Sequence, residues 1–381
     1  MKIKIENFKS IKNAELELAP LTILIGPPAS GKSNILDCIG LLGYFHRFLQ
    51  LNKEYGGNVT NIEPLTLMAR FKQIEHLFYY QDLSYIIHIG VEDSDKNIMS
   101  LKIFYEKGAL RIQAKDIDII FDIKSSGQTY ISDILNKLSV LGSKIEDKVS
   151  IATRVYGYDR YGLSLPSCID YLHCGFYLHL KGNLVRNTPR HLLSELGWNA
   201  PHIIKDSQDV VIGLNYILTE KFGEKVEVKI SRSGKVFVFD YDLEVDISGV
   251  SDSIFRILYY LLALRSAVNY VKLYGLEKRF VIMLEEPEAH VFPFFIDLLA
   301  DYIAKATENM YVIITTHNPI LVSALWDRVK DVKTYYVMRD KLGSTNIAEI
   351  DIDKLAKELI TSEDLLFMSP SEVLQKYAAK R

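Results

Sequence analysis

Apolar residues fall along the chain in runs of two kinds. LTILI at 21–25 is a short continuous run of strand length, and RFVIM at 279–283 and YVIITT at 311–316 are two more. NILDCIGLLGYFHRFL from Asn34 and SIFRILYYLLAL from Ser253 instead return apolar residues at helical spacing. YIIHIGVE, SLKIFYEKG and ALRIQAKDIDIIF alternate or cluster β-formers around a turn at Glu106-Lys107-Gly108, which predicts an antiparallel sheet. Residues 130–148, 188–196 and 209–222 read as short helices, and VEVKISRSGKVFVF as a hairpin. Nothing sustains heptads with charged flanks, so no long coiled-coil arm is expected.

The chain has 381 residues, 48% hydrophobic and 24% charged, which suits one large or two ordinary globular domains. Its net charge of -3 announces no nucleic-acid or anionic-membrane partner. MKIKIENFKS lacks the apolar core of a signal peptide, and no stretch reads as the ~20 apolar residues that span a bilayer, so the expected location is cytoplasmic. Cys38, Cys168 and Cys174 fit reduced thiols; CIDYLHC, with two thiols and His173, falls short of a metal site.

GPPASGKS at 26–33 changes the picture, because it fits G-x-x-x-x-G-K-[ST] and lies between a predicted strand and a predicted helix. A triphosphate needs converging donors, and backbone N–H groups from Ser30 to Ser33 at a helix N-terminus supply them. Gly31 lets the backbone approach closely, Lys32 reaches the β- and γ-phosphates, and the Ser33 hydroxyl ligates Mg²⁺. Gly26 and Asn34 complete the candidate nucleotide-contacting set. Pro27 and Pro28 have no N–H and belong to the outer part of the loop.

In MLEEPEAHVFP, at 283–293, crowded carboxylates need a cation, a proton or water to relieve them. Alternation along a strand sends Glu285 and Glu286 to different sides. Glu285 is assigned to the Mg²⁺ shell and Glu286 to the water attacking the γ-phosphate, while Glu288 is open between a site role and a solvated acidic turn. His317, ending the YVIITT run, is placed to donate to the γ-phosphate, since polar residues at the ends of buried strands face the ligand crevice of an open α/β sheet.

These segments together resemble ABC-class ATPase heads of the SMC, RecF and OLD type. KIKIENFKSIKNAELELAPLTILIGPPASGKSNILDCI is similar to their first strands and Walker A, VIMLEEPEAHVFP to their Walker B with catalytic Glu, and VIITTHNPILVSAL to their switch-histidine segment. ISGVSDSIFRILYYLLAL stands where that family has its signature, which implies that Ser251 contacts the γ-phosphate of ATP held by an opposing subunit. SDS is equally a plain helix start, with Ser and Asp as caps. The likeness covers roughly residues 1–45 and 245–325.

The chain departs from the family at several points. Its Walker B ends Glu285-Glu286 rather than Asp-Glu, similar to the OLD-like branch, and Ser253 stands where the signature has Gly. Gln73 and Gln81 are the Q-loop candidates, and SIATRVYGYDRYG ends in Asp159 and Arg160, a weak site candidate. The 64 residues after His317 (318–381) are too few for the Toprim nuclease domain of OLD proteins, and Asp351 and Asp353 in AEIDIDKLAKEL read as a strand-to-helix junction.

The expected fold is an α/β P-loop NTPase, an ABC-ATPase-like head with a mixed core sheet, an antiparallel β subdomain and a helical lobe. Its expected divisions are 1–130, 131–265 with the signature, 266–345 with Walker B and the switch His, and a helical tail at 346–381. The resemblance implies an enzyme that binds Mg-ATP, dimerises head-to-tail around composite sites and turns over slowly. By analogy it serves DNA repair, chromosome maintenance or defence, with DNA or a separately encoded effector or nuclease as partner and no membrane. Lys181, Arg186 and Arg190 are basic residues that could touch DNA, though a solvated surface is the plainer reading. A regulatory ATP switch that scarcely hydrolyses is the alternative, and Ser253 favours it. A transporter ATPase subunit is the other, and EEPEAH and the altered signature speak against it.

Overall fold

Ile3, Ile5 and Phe8 are buried while Glu6 is exposed, so the first strand, β1 (Lys2–Phe8), presents one apolar face. A turn at Lys9-Ser10 returns the chain as β2 (Ile11–Glu17), antiparallel to β1 with Phe8 opposite Ile11. β3 (Leu21–Ile25) is buried at every position, as a strand covered on both faces must be. After the glycine loop comes the helix α1 (Lys32–Glu54). β4 (Ile87–Asp93), β5 (Lys96–Glu106), β6 (Ala109–Ala114) and β7 (Ile117–Ile119) extend the first sheet in the order β2-β1-β4-β5-β6-β7. Lys107 (φ 53°) and Gly108 (φ 80°) make the left-handed two-residue turn between β5 and β6 at the expected place.

This computed structural model describes residues 1–54, 69–71, 73–93, 96–114, 117–119, 122–123, 129–130, 152–156, 191–193, 199–222, 226–230, 236–245, 251–277 and 280–379. The chain forms two compact units, one of residues 1–155, 279–281 and 331–381, the other of residues 156–278 and 282–330. The helix expected at 130–148, apart from Tyr130, which ends the strand Thr129–Tyr130, the polar strand end at Asp159-Arg160, the CIDYLHC cysteines and the basic residues Lys181, Arg186 and Arg190 lie outside the described residues.

In the first unit the strand Val332–Arg339 runs parallel to β3, with Tyr336 opposite Ile25, and antiparallel to the strand Thr345–Glu349, with Arg339 opposite Thr345. The sheet is therefore mixed, and a strand from late in the chain lies directly beside the one that leads into the glycine loop. Asp351 accepts the N–H of Lys354 at 3.0 Å and caps a short helix, which bears out the strand-to-helix reading of the D-x-D pair.

The second unit holds the helix Asp252–Tyr274, whose residues Ile254–Leu264 are all buried. By length and composition it could cross a membrane, contrary to the expectation that no segment approaches this; here its apolar residues serve as core. The expected hairpin is present as Val226–Ile230 against Val236–Asp240, and the expected helix at 209–222 as Gln208–Phe222. The strands Phe280–Glu285 and Tyr311–Thr315 are neighbours in one sheet and lead into the acidic and histidine segments. The fold is that of an α/β P-loop NTPase.

Candidate functional site

In the first unit the glycine loop is moulded against the late strands. Gly26 has φ 142°, and a Cβ there would lie 2.0 Å from the carbonyl oxygen of Val337. Gly31 has φ 107°, and a Cβ there would lie 2.1 Å from Oγ1 of Thr345. Both contacts are far inside van der Waals range, so any side chain at either position displaces the loop. Lys32 is buried, with Nζ 2.9 Å from the carbonyl oxygen of Gly26 and 3.0 Å from that of Pro27. These two carbonyls hold the Lys32 ammonium against the inside of the glycine loop. Ser30 differs from expectation in one respect: its N–H donates to the carbonyl of Pro27 at 3.3 Å, closing a turn inside the loop, so its donation to phosphate competes with that turn. Ser33 and Asn34 are half-exposed in the first turn of α1.

Beside this turn lies a cavity of about 420 Å³ lined by Lys9, Ser10, Asn34, Arg70, Tyr80 and Gln81, among others. Of the two Q-loop candidates only Gln81 faces it; Gln73 leads into the short 3-10 turn Ile74–Leu77. The floor is stiffened by Asp37, fully buried, whose carboxylate takes Lys9 Nζ at 2.6 Å and Arg70 at 3.1 Å. Sequence reasoning passed over all three. Their signal, one acidic residue on the inner face of a helix, resembles any solvated charge until its partners fold onto it.

In the second unit the strand Phe280–Glu285 ends at Glu285, whose carbonyl accepts the Tyr260 hydroxyl at 2.9 Å. Glu286 does not continue the alternation. Its φ is 42°, a left-handed conformation uncommon for a residue with a side chain, and its N–H donates to the carbonyl (3.0 Å) and hydroxyl (3.2 Å) of Thr315. That turn, rather than strand pleating, orients its carboxylate, and Oε1 lies 3.2 Å from Nε2 of His317. His317 was expected to address a phosphate; the structure pairs it with the carboxylate expected to address water.

Glu288 is 7% exposed, which removes the reading of a solvated turn. Its Oε1 accepts the Thr316 hydroxyl at 2.6 Å and the His317 N–H at 3.2 Å, while Oε2 has no hydrogen-bond partner. Burial is the largest influence on this carboxyl and pushes its pKa up, against the opposing pull of the Thr316 hydroxyl. Asn318 then caps the helix Pro319–Arg328 through its side chain.

Ser251 occupies the N-cap position of the helix Asp252–Tyr274, yet its side chain makes no cap hydrogen bond, so the plain-cap reading fails for it. Ser253, the residue in the glycine position of the signature, accepts the N–H of Phe292 at 2.9 Å. It thereby links the signature to the stretch just past the acidic segment.

Among the described residues no cluster of three or more His, Cys, Asp or Glu forms a metal cage. The donors expected for Mg²⁺ are instead one hydroxyl, Ser33, and one half-buried carboxylate, Glu285. Ser33 belongs to the first unit and Glu285 to the second, and each offers oxygen, the ligand atom that a hard cation takes.

A strand, a glycine loop held against its neighbours and a helix opening on Lys-Ser define a nucleotide-binding P-loop fold. Residues 1–162 match the AAA ATPase domain family. A comparison with curated proteins found no match. Among solved structures, the chain is similar to an Smc head bound to the C-winged helix domain of ScpA, at 13% identity over 93% of this chain and 98% of that one (TM-score 0.49). It is also similar to the SMC head domain from Thermotoga maritima, at 12% identity over 92% and 98% (TM-score 0.42). The matched stretch contains the glycine loop, and the match agrees with the P-loop reading of GPPASGKS.

Proposed function

We propose that this protein is an ATPase of the SMC-like head type, which binds Mg-ATP at the glycine loop and hydrolyses it with Glu286 as general base. The observation that carries this reading is the pairing of Glu286 with His317 at the ends of two buried strands, with the backbone at Glu286 held in a left-handed turn. Strain of that kind persists where the surroundings dictate it, and it concentrates at working sites.

In this reading Gly31, Lys32 and Ser33 bind the phosphates, Lys32 by leaving its carbonyl partners for the anion, with Gly26, Ser30 and Asn34 shaping the loop. The cavity beside Asn34 receives the rest of the nucleotide. By the resemblance, Ser33 and Glu285 would hold Mg²⁺, which would supply charge neutralisation to the phosphates. Glu286 accepts a proton from water as the water oxygen bonds to the γ-phosphorus and the bond to the β–γ bridging oxygen breaks. His317 orients the Glu286 carboxylate through Nε2. ADP and phosphate leave, and the proton on Glu286 returns to solvent.

One chain offers one P-loop, one acidic segment and one signature. The composite site of the resembling family then calls for two copies closed head-to-tail, with Ser251 facing the partner's nucleotide and ATP shifting the population toward the closed dimer. DNA-associated work, in repair, chromosome maintenance or defence, is the assigned setting by analogy. The test is the light-scattering mass of Glu286→Gln with and without Mg-ATP, beside phosphate release by the native chain. A doubled mass with Mg-ATP and measurable release support the reading; no release from the native chain rejects it. Mixing Ser251→Arg with Lys32→Ala probes the shared site, and absence of any restored activity counts against it.

A second reading, a nucleotide switch with little turnover, has one observation in its favour. The Ser253 hydroxyl bonds the Phe292 N–H and restrains the signature where a glycine would leave it unrestrained.

A further inference from the structure

Four groups from distant parts of the first unit form a single file of hydrogen bonds beneath the glycine loop. Asn34 Nδ2 donates to Ser10 Oγ at 2.8 Å, Ser10 Oγ lies 2.7 Å from Thr345 Oγ1, and Thr345 Oγ1 donates to the carbonyl oxygen of Ser30 at 3.0 Å. The Ser10–Thr345 hydroxyl pair could run either way, but the ends decide. The Ser30 carbonyl only accepts and the Asn34 amide nitrogen only donates, so Ser10 must donate to Thr345 and Thr345 to Ser30. Each hydroxyl accepts one bond and donates one, an arrangement in which successive bonds reinforce each other. Thr345 is 1% exposed, and its own N–H donates to the Ser10 carbonyl at 2.7 Å, so the hydroxyl is fixed from both sides.

We infer that Thr345 is a positioning residue of the phosphate cradle, its hydroxyl fixing the Ser30–Gly31 peptide so that the Gly31 N–H faces a bound phosphate. The inference rests on the nucleotide reading above and deepens it. The peptide is trans, since none of the described bonds is cis, and in a trans peptide C=O and N–H point in opposite directions. Tying the Ser30 carbonyl down to Thr345 therefore turns the Gly31 N–H up and away from it. That N–H finds no backbone acceptor among the described residues. The contact is also tight enough to be specific: the Cβ that Gly31 lacks would fall 2.1 Å from the same Oγ1. Without the hydroxyl, the peptide can rotate and direct its carbonyl at the phosphate, replacing an attraction by a repulsion.

The test compares ATP affinity by calorimetry for the full chain and for Thr345→Val, Thr345→Ser and Lys32→Ala, with a thermal melt of each. Valine keeps the shape and removes the hydroxyl; serine keeps the hydroxyl. The expected result is a roughly tenfold weaker Kd for Thr345→Val with a Tm near that of the native chain, and a Kd within about threefold of native for Thr345→Ser. Thr345→Val binding as tightly as native overturns the inference, and so does Thr345→Ser binding as weakly as valine. Should valine fail to fold, Ser10→Ala takes its place, removing the hydroxyl that donates to Thr345. A severalfold weaker Kd supports the relay and an unchanged one overturns it. Native chain that binds no ATP, or Lys32→Ala that binds as well as native, overturns the nucleotide reading itself and this inference with it.

Discussion

Glu288 holds His317 by its main chain: the buried Oε1 accepts the His317 N–H at 3.2 Å while the imidazole of that residue reaches Glu286. Two carboxylates two residues apart thus grip one histidine at both ends. The Thr316 hydroxyl, donating to the same Oε1 and accepting the Asn318 N–H at 2.9 Å, closes the arrangement.

Burial raises the pKa of Glu288, so its sign is that of a proton held in the folded chain and lost earlier in the unfolded one, where the ordinary value is 4.5. Above pH 4.5 the folded state binds more protons than the unfolded state, and stability falls with rising pH until the folded carboxyl has ionised. Glu288→Gln removes that slope. Urea midpoints measured from pH 4.5 upward are expected to move in favour of the variant relative to native; parallel curves would show that the carboxyl does not titrate anomalously.

Glu286→Gln leaves an oxygen for water but no base. Phosphate release is expected to fall by about a hundredfold or more while the Kd for ATP stays within a few fold of native. A release rate within threefold of native would take the general-base role from this residue.

His317→Ala leaves the Glu286 carboxylate in place without its contact to Nε2. The expected signature is a fall of roughly tenfold in kcat with KM little changed, because the lost contact matters in the transition state rather than in binding. A rise in KM alone would place the imidazole on the nucleotide instead.

Asp37→Ala removes the fully buried carboxylate that Lys9 and Arg70 share. Breaking such a group destabilises by about 3 kcal/mol when all partners are buried; Arg70 is partly exposed, so a loss on the order of 2 kcal/mol is expected. Equilibrium urea unfolding reads it directly.

The parts of this protein legible in its sequence are those set by neighbours in the chain. LTILI, the glycine loop and the helix after it follow one another, and Lys107-Gly108 carries its turn within two residues. Glu288 was ambiguous because its burial depends on Thr316 and His317, which reach it from the next strand end. Alternation misplaced the cause of the Glu286 orientation, since a period of two says nothing about where a strand stops and a left-handed residue begins. Thr345 gave no signal at all: an isolated threonine at the start of a strand is unremarkable until Ser30 is folded above it. The long apolar helix Asp252–Tyr274 shows the reverse limit, for its composition was visible but its role as core depends on what surrounds it.

The contact between Gly26 and the Val337 carbonyl has a bearing on how this protein can be divided. The stretch that matches the ATPase family ends at residue 162, yet the surface on which its loop is cast comes from residues 332–349. A fragment cut at the boundary of that match would carry every motif residue of the loop and lack the mould that gives the loop its shape. The unit that carries the glycine loop is discontinuous: it takes in both the beginning of the polypeptide and the strands that follow Asp331.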